Sequence, residues 1–295
     1  MDAYHQQMLD LVRAALNEDI GPGDITSLAC LEPARIKAEI ISKSDGVLSG
    51  VEPVRLAFHL VDSANRVNFI KRDSDRFRRG ERIAEIEGYN QTIMTSERVA
   101  LNFLAHLSGI ATHTARFVEK LNGTTCRLLD TRKTTPGQRL LEKRAVLHGG
   151  GSNHRIGLYD MVLIKDNHIA AAGSITEAVR LTREYLGSVD CREQFGAVGP
   201  IEIEVEVTNE KELEQAIAAG VDRLLFDNQS SEALAELVAK ARSIKPAVKL
   251  EASGNVTLDN VAVVAATGVD FISTGAITHS APAVDFSLLV VNRLP

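Results

Sequence analysis

The chain has 295 residues, 44% hydrophobic and 24% charged, with a formal net charge of −6. That length allows one large domain or two ordinary ones with a sizeable core, and the acidic balance argues against nucleic-acid binding. Cys30, Cys126 and Cys191 are odd in number, far apart and without a CxxC, so they give neither a disulfide framework nor a zinc site and fit a reducing cytoplasm.

The N-terminal stretch is amphipathic with early acids and does not read as a signal peptide, and no apolar run is long enough to cross a bilayer. Met8, Leu9, Leu11, Val12, Ala15 and Leu16 predict a helix over 4–17, which DIGPGD then breaks. Ile36, Ala38 and Ile40 alternate as in a strand before a turn at Asp45-Gly46. Residues 51–60 read as a helix. Short strands surround a turn at Gly80, and a long helical stretch covers 92–121 with breaks expected at Ser108-Gly109. Residues 1–110 are thus expected to form a mixed α/β domain.

The rhythm then changes. Segments 124–130, 160–165, 201–207, 222–227, 247–252 and 270–275 are strand candidates, and helices fit at 209–219, 230–242 and 257–267. The last four strands end near 206, 227, 252 and 274, a step of about 21–25 residues that suits a parallel βαβ array. A doubly wound sheet lacks its GxGxxG fingerprint here. An α/β barrel fits better, because polar residues sit at successive strand ends (Asp130, Lys165, Glu206, Asp227, Glu251 to Ser253, Ser273 to Gly275), where barrel enzymes build their sites.

Several groups of residues carry chemistry. Arg132 and Lys133 follow a strand, Lys165 ends one and Arg155 follows a glycine triplet; these four are expected to converge on an anion. For Arg139, Lys143 and Arg144 the reading is a solvated helix face. In GGGSNHR (149–155) the glycines would let backbone approach a ligand, with Asn153, His154 and Arg155 as donors. Lys165 suits either a Schiff base or an anion clamp. Glu202, Glu204 and Glu206 point to one side of a strand; inside a barrel the lower acids need partners and the upper ones reach the rim. Asp227 is either a rim acid or a helix cap. EASGN (251–255) and STGAITHS (273–280) are small polar loops of the kind that cradle a phosphate on backbone N–H groups. Together these suit a highly anionic aromatic or carboxylic acid and a sugar phosphate that needs Mg²⁺.

NEDIGPGDITS (17–27), TSERVALNFLAHLSGIAT (95–112), DTRKTTPGQR (130–139), GGGSNHRIGLYD (149–160), LIKDNH (163–168), EVEV (204–207), LLFDN (224–228), EASGN and STGAITHS resemble the quinolinate phosphoribosyltransferases, in order and over about residues 9–290. The resemblance implies conversion of quinolinate and phosphoribosyl pyrophosphate to nicotinate mononucleotide, pyrophosphate and CO₂, with Mg²⁺ and no organic cofactor. It implies an N-terminal α/β sandwich (1–110, with the tail 280–295 free to pack back on it) and an incomplete, seven-stranded α/β barrel (111–279). It also implies a cytoplasmic homodimer in which Arg98 completes the neighbouring site. Carried onto matching positions, Lys165, Glu206 and Asp227 are catalytic. Arg98, Thr131, Arg132, Lys133, His154, Arg155, Lys165, Glu204, Glu206, Asp227, Ser253, Gly254, Asn255, Thr274 and Gly275 bind substrate, and Glu206 and Asp227 bind the metal. Gln138 and Arg144 stand where the resemblance leads one to expect an apolar and an aromatic residue. Segment 187–200 is long for a strand–helix connection and reads as a surface excursion.

Overall fold

The computed structural model describes residues 3–196 and 201–294. In chain order its first elements are α1 (Ala3–Ile20), α2 (Ile25–Cys30), β1 (Arg35–Ser42), β2 (Gly46–Val47), α3 (Val51–Val61), β3 (Arg66–Phe69), β4 (Arg76–Phe77), β5 (Arg82–Tyr89) and α4 (Asn90–Lys120). A more regular series follows: β6 (Arg127–Leu129), α5 (Arg139–His148), β7 (Val162–Ile164), α6 (Asp166–Ala172), α7 (Ile175–Leu186), α8 (Val189–Phe195), β8 (Ile203–Val207) and α9 (Glu210–Ala218). It continues through β9 (Arg223–Asp227), α10 (Ser231–Ile244), β10 (Lys249–Ser253), α11 (Val261–Ala266), β11 (Phe271–Ser273), α12 (Ala276–His279) and β12 (Phe286–Arg293). The chain separates into two compact units. The first is Met1–Ala115, Thr134–Gly151 and Ile277–Pro295; the second is Arg116–Lys133 and Ser152–Ala276.

The first unit holds an antiparallel sheet of order β12-β1-β5-β3. Ile36, Ala38 and Ile40 bury one face of β1, as its alternation requires. On its other edge β1 pairs with β12, from Ile36 opposite Arg293 to Ser42 opposite Phe286.

Helix α4 runs unbroken through Ser108-Gly109, where a break was expected. These two residues serve contacts instead. The Ser108 hydroxyl donates to Ser49 O and accepts the Ser49 N–H, at 3.0 and 3.1 Å. A Cβ on Gly109 would stand 2.4 Å from Pro282 O and 3.0 Å from Ala283 Cα, so glycine is needed for backbone approach. Gly→Ala inside a helix ordinarily stabilises by about 0.5–1 kcal/mol. Here the clash reverses the sign, and Gly109→Ala is expected to cost about 1–3 kcal/mol, read as a lower urea midpoint with unchanged slope. A raised midpoint would show that the contact yields freely.

Residues 134–151 also lie in the first unit, although a contiguous 111–279 division assigns them to the barrel. Leu141, Ala145 and Val146 of α5 are buried, and the fully buried Glu142 carboxylate meets His106 Nε2 of α4 at 2.8 Å. Lys143 is only 2% exposed, so the solvated face expected for it is wrong; Arg144 is exposed but lies over the Tyr4 ring. The glycine triplet serves packing too. A Cβ on Gly149 would come within 2.4 Å of Ala111 O, so this glycine admits a helix rather than a ligand.

The second unit is a parallel sheet of order β6-β11-β10-β9-β8-β7. Its first strand lies beside its last, as in a barrel, and the sheet is open between β6 and β7. Among the described residues six strands stand where seven were expected. After the glycine run, Ser152 adds one isolated parallel bridge to Leu129 rather than a further strand. Every strand is followed by a helix, and the buried faces of α9 (Leu213, Ala216, Ile217) and α10 (Leu234, Leu237, Val238, Ala241) follow the expected periodicity. In the long 187–200 connection, α8 buries Cys191, while 197–200 lie outside the described residues. The three cysteines are free, and among the described residues no helix is long and apolar enough to cross a membrane.

Candidate active site

All of the candidate residues except Arg98 belong to the second unit. Parallel strands point their C-terminal ends one way, so β6, β7, β8, β9, β10 and β11 deliver their following residues to one rim. Arg98 lies exposed on α4 in the first unit.

Two guanidiniums share part of the rim. Arg155 is half-buried, and its pKa is lowered first by burial and next by the charge of Arg132. Bringing like charges together costs free energy unless an anion joins them. Nearby, the Thr131 hydroxyl accepts the N–H of Lys133 at 3.0 Å, which fixes the turn that presents that exposed lysine. Asp130 is fully buried and accepts the His154 N–H at 2.8 Å, a contact that shapes the backbone there.

The acids divide by depth. Glu202, at the lower end of β8, meets Arg223 Nη2 at 3.1 Å and also pairs with Lys249. Glu204 is fully buried, where substrate contact was expected from it; its Oε2 lies 3.0 Å from His154 Nε2. Glu206 is partly exposed and lies 3.4 Å from Lys165 Nζ. Burial raises its pKa, Lys165 opposes the shift, and the nearby Asp227 charge adds to it. Lys165 is exposed and salt-bridged, which suits a clamp better than the desolvated amine that Schiff-base chemistry uses.

Glu206 and Asp227 end adjacent strands and offer hard carboxylate oxygens that repel one another. This is a donor set that fits Mg²⁺, which takes one or two carboxylates and keeps several waters. Asp227 also accepts from Asn228 Nδ2 at 2.7 Å, and Asn228 Oδ1 accepts from Asn255 Nδ2 at 2.9 Å. Asn228 and Asn255 both adopt left-handed backbone, as does Gly254, where a Cβ would stand 2.2 Å from Asn228 Oδ1. The loops after β9 and β10 therefore lock together. Beside them the buried Thr274 accepts the Ala276 N–H and donates to Val256 O, each at 3.2 Å. Ser253 is half-buried at the end of β10, and Gly275 is buried after β11.

Below the rim lies a group that the sequence reading did not assemble. Glu251 is fully buried; its Oε1 lies 3.4 Å from His154 Nε2 and its Oε2 takes Arg223 Nη1 at 2.9 Å. Arg223 also stacks on the Phe271 ring, 4.4 Å from its centroid. Burial and the Glu251 charge push Glu204 up to about 7. Burial works against an imidazolium at His154, but hydrogen bonds to the two acids outweigh it and raise His154 to about 9. The N–H of Arg155, 2.7 Å from His154 Nδ1, favours the neutral ring instead. Geometry decides here, since a contact that short leaves no room for a second hydrogen. The signal for this group was Arg223, an inward cation one strand away from Glu204 and one from Glu251.

The chain matches known proteins over nearly its whole length. Residues 24–108 match the quinolinate phosphoribosyl transferase N-terminal domain and residues 110–289 match the C-terminal domain of the same family. The chain is 41% identical over 285 residues to a Bacillus subtilis protein named "probable nicotinate-nucleotide pyrophosphorylase (carboxylating)", covering 96% of this chain and 93% of that one. It superposes on the nicotinate-nucleotide pyrophosphorylase of Francisella tularensis with a TM-score of 0.89 and 41% identity, over 97% and 96% of the two chains. For the Ehrlichia chaffeensis enzyme the values are 0.87 and 35%, over 96% and 98%. With both domains matched in order over nearly the whole chain, the chain belongs to the quinolinate phosphoribosyltransferase family.

Proposed function

We propose that this chain transfers the phosphoribosyl group of phosphoribosyl pyrophosphate to quinolinate and releases CO₂, giving nicotinate mononucleotide for NAD biosynthesis. Within the family, the observation that carries the site assignment is the Arg132–Arg155 juxtaposition. Quinolinate brings two adjacent carboxylates, and Arg132, Lys133, Arg155 and Lys165 supply the cations that they and a pyrophosphate require.

Ribosyl transfer passes through a state with positive charge on the sugar carbon, as glycoside hydrolysis does. Glu206 and Asp227 stand at adjacent strand ends to stabilise that charge and to hold the ribose hydroxyls. They are also the groups that would hold Mg²⁺. When bound, the ion neutralises charge on the departing pyrophosphate. Ser253, Gly254, Asn255, Thr274 and Gly275 form the loops that would take the 5-phosphate. After transfer the ring nitrogen is cationic and accepts the electrons left when CO₂ departs, so the substrate supplies its own electron sink. The active form is a homodimer in the cytoplasm, and Arg98 reaches the neighbouring chain's site.

The test is CO₂ release from quinolinate, dependent on phosphoribosyl pyrophosphate and Mg²⁺. Nicotinate, with one carboxylate, is expected to be used at least about a hundredfold less well, because it leaves a cation unpaired at a cost of about 3–5 kcal/mol. Comparable use of both acids would refute the assignment.

A further inference from the structure

The parallel strands of the second unit have another end. Arg127, Lys249 and Phe271 are the first residues of β6, β10 and β11, opposite the rim. Beside them, under the chain that follows α10, lies a cavity of about 410 Å³ whose lining includes Thr125, Arg242 and Asp270. That volume falls in the range of small-molecule sites, about 300–1,000 Å³.

The walls are set by bonds already made. Arg242 Nη2 meets both Asp270 oxygens at 2.8 Å, and its Nη1 donates to Pro246 O and Val248 O at 3.0 and 2.6 Å. Asp270 also accepts the Leu250 N–H at 2.8 Å. The carboxylate in the lining is thus matched by a guanidinium and a backbone donor, and it leaves no negative charge to repel a ligand.

The remaining cations are less well matched. Lys249 pairs with Glu202, but Arg223 shares that acid at 3.1 Å. Arg127 is exposed, and among the described residues no carboxylate forms a salt bridge with it. In register it stands opposite Phe271, whose ring carries the Arg223 guanidinium at 4.4 Å. The end of the sheet therefore gathers positive charge around a preformed hollow, and the exposed Thr125 adds a hydroxyl donor.

We propose that this cavity is a second anion site, separate from the rim, that takes a small phosphate-bearing dianion. Arg127 and Lys249 supply the charge, Thr125 donates a hydrogen bond, and the Arg242–Asp270 pair holds the wall. A tetrahedral phosphate offers oxygens to donors arriving from three directions, which a planar carboxylate does not. The proposal stands independently of the reaction assigned to the rim.

Inorganic phosphate is the probe. It is titrated calorimetrically into wild type, Arg127→Glu, Arg127→Gln and the rim variant Arg132→Ala, with ionic strength held constant by chloride and thermal unfolding followed in parallel. Wild type and Arg132→Ala are expected to share a phosphate site whose Kd rises at least about tenfold in Arg127→Glu, through loss of a charge-assisted contact and gain of a repulsive one. Arg127→Gln, which keeps a donor without the charge, is expected to fall between them and serves alone if the charge reversal does not fold. Phosphate affinity unchanged in the Arg127 variants would place the binding elsewhere and overturn the proposal, as would the absence of phosphate binding in wild type. Acetate bound as tightly as phosphate would overturn the ligand class.

Discussion

Arg98→Ala and Lys165→Ala proteins are each expected to be nearly inactive, and a mixture that has exchanged subunits is expected to recover about a quarter of wild-type activity. The reasoning starts from placement. Every other candidate lies in the unit containing the parallel sheet, whereas Arg98 is exposed on α4 in the other unit. A charge-assisted, bidentate contact from Arg98 to a carboxylate is strong enough that its loss should remove most activity. If that contact is made across a two-fold axis, a mixed dimer has one site carrying both lesions and one carrying neither. With random exchange half the dimers are mixed, and each contributes one working site. Subunit exchange is verified independently by mass-tagged chains. No recovery after verified exchange would put Arg98 in its own chain's site or outside the chemistry.

Glu206→Ala is expected to lower kcat by about 10²–10³-fold, comparable with removing one aimed electrostatic stabiliser, while quinolinate affinity stays within a few-fold. Glu206 is partly buried at the end of β8 beside Lys165 and close to Asp227, and in the proposed reaction its charge serves the sugar and not the pyridine carboxylates. Removing it also releases Lys165 from an acidic neighbour at 3.4 Å, so anion binding is spared or slightly strengthened. Rapid-quench measurement of ribosyl transfer in pre-bound substrate separates the two effects. Collapse of quinolinate binding with intact turnover of bound substrate would reverse the assignment.

The strands of the second unit were legible because their apolar runs are short, end in polar residues and recur at a near-constant step. The acid row was legible for the same reason: a period of two puts Glu202, Glu204 and Glu206 on one side, and their depths follow from position along β8. Depth itself was harder to read. Glu251 looked like a member of a phosphate loop, but it stands two residues before the strand end and is buried against Arg223. Lys143 looked solvated because neighbouring cations on a helix usually are, yet α5 is covered on more than its apolar stripe. Gly109 and Gly149 looked like breaks or ligand approaches. A glycine required for the passage of another backbone carries the same letter as one required for a turn, and only the tertiary contact tells them apart.

The pairing of β1 with β12 has a consequence for biosynthesis. A ribosome delivers β1 early and β12 only after every strand of the parallel sheet has been made. Throughout that interval one edge of β1 offers unpaired backbone groups, the kind of edge that recruits strands from other chains. The first unit therefore completes its sheet only after the parallel sheet has been synthesised, and in that interval the open edge of β1 is the place where cover is needed.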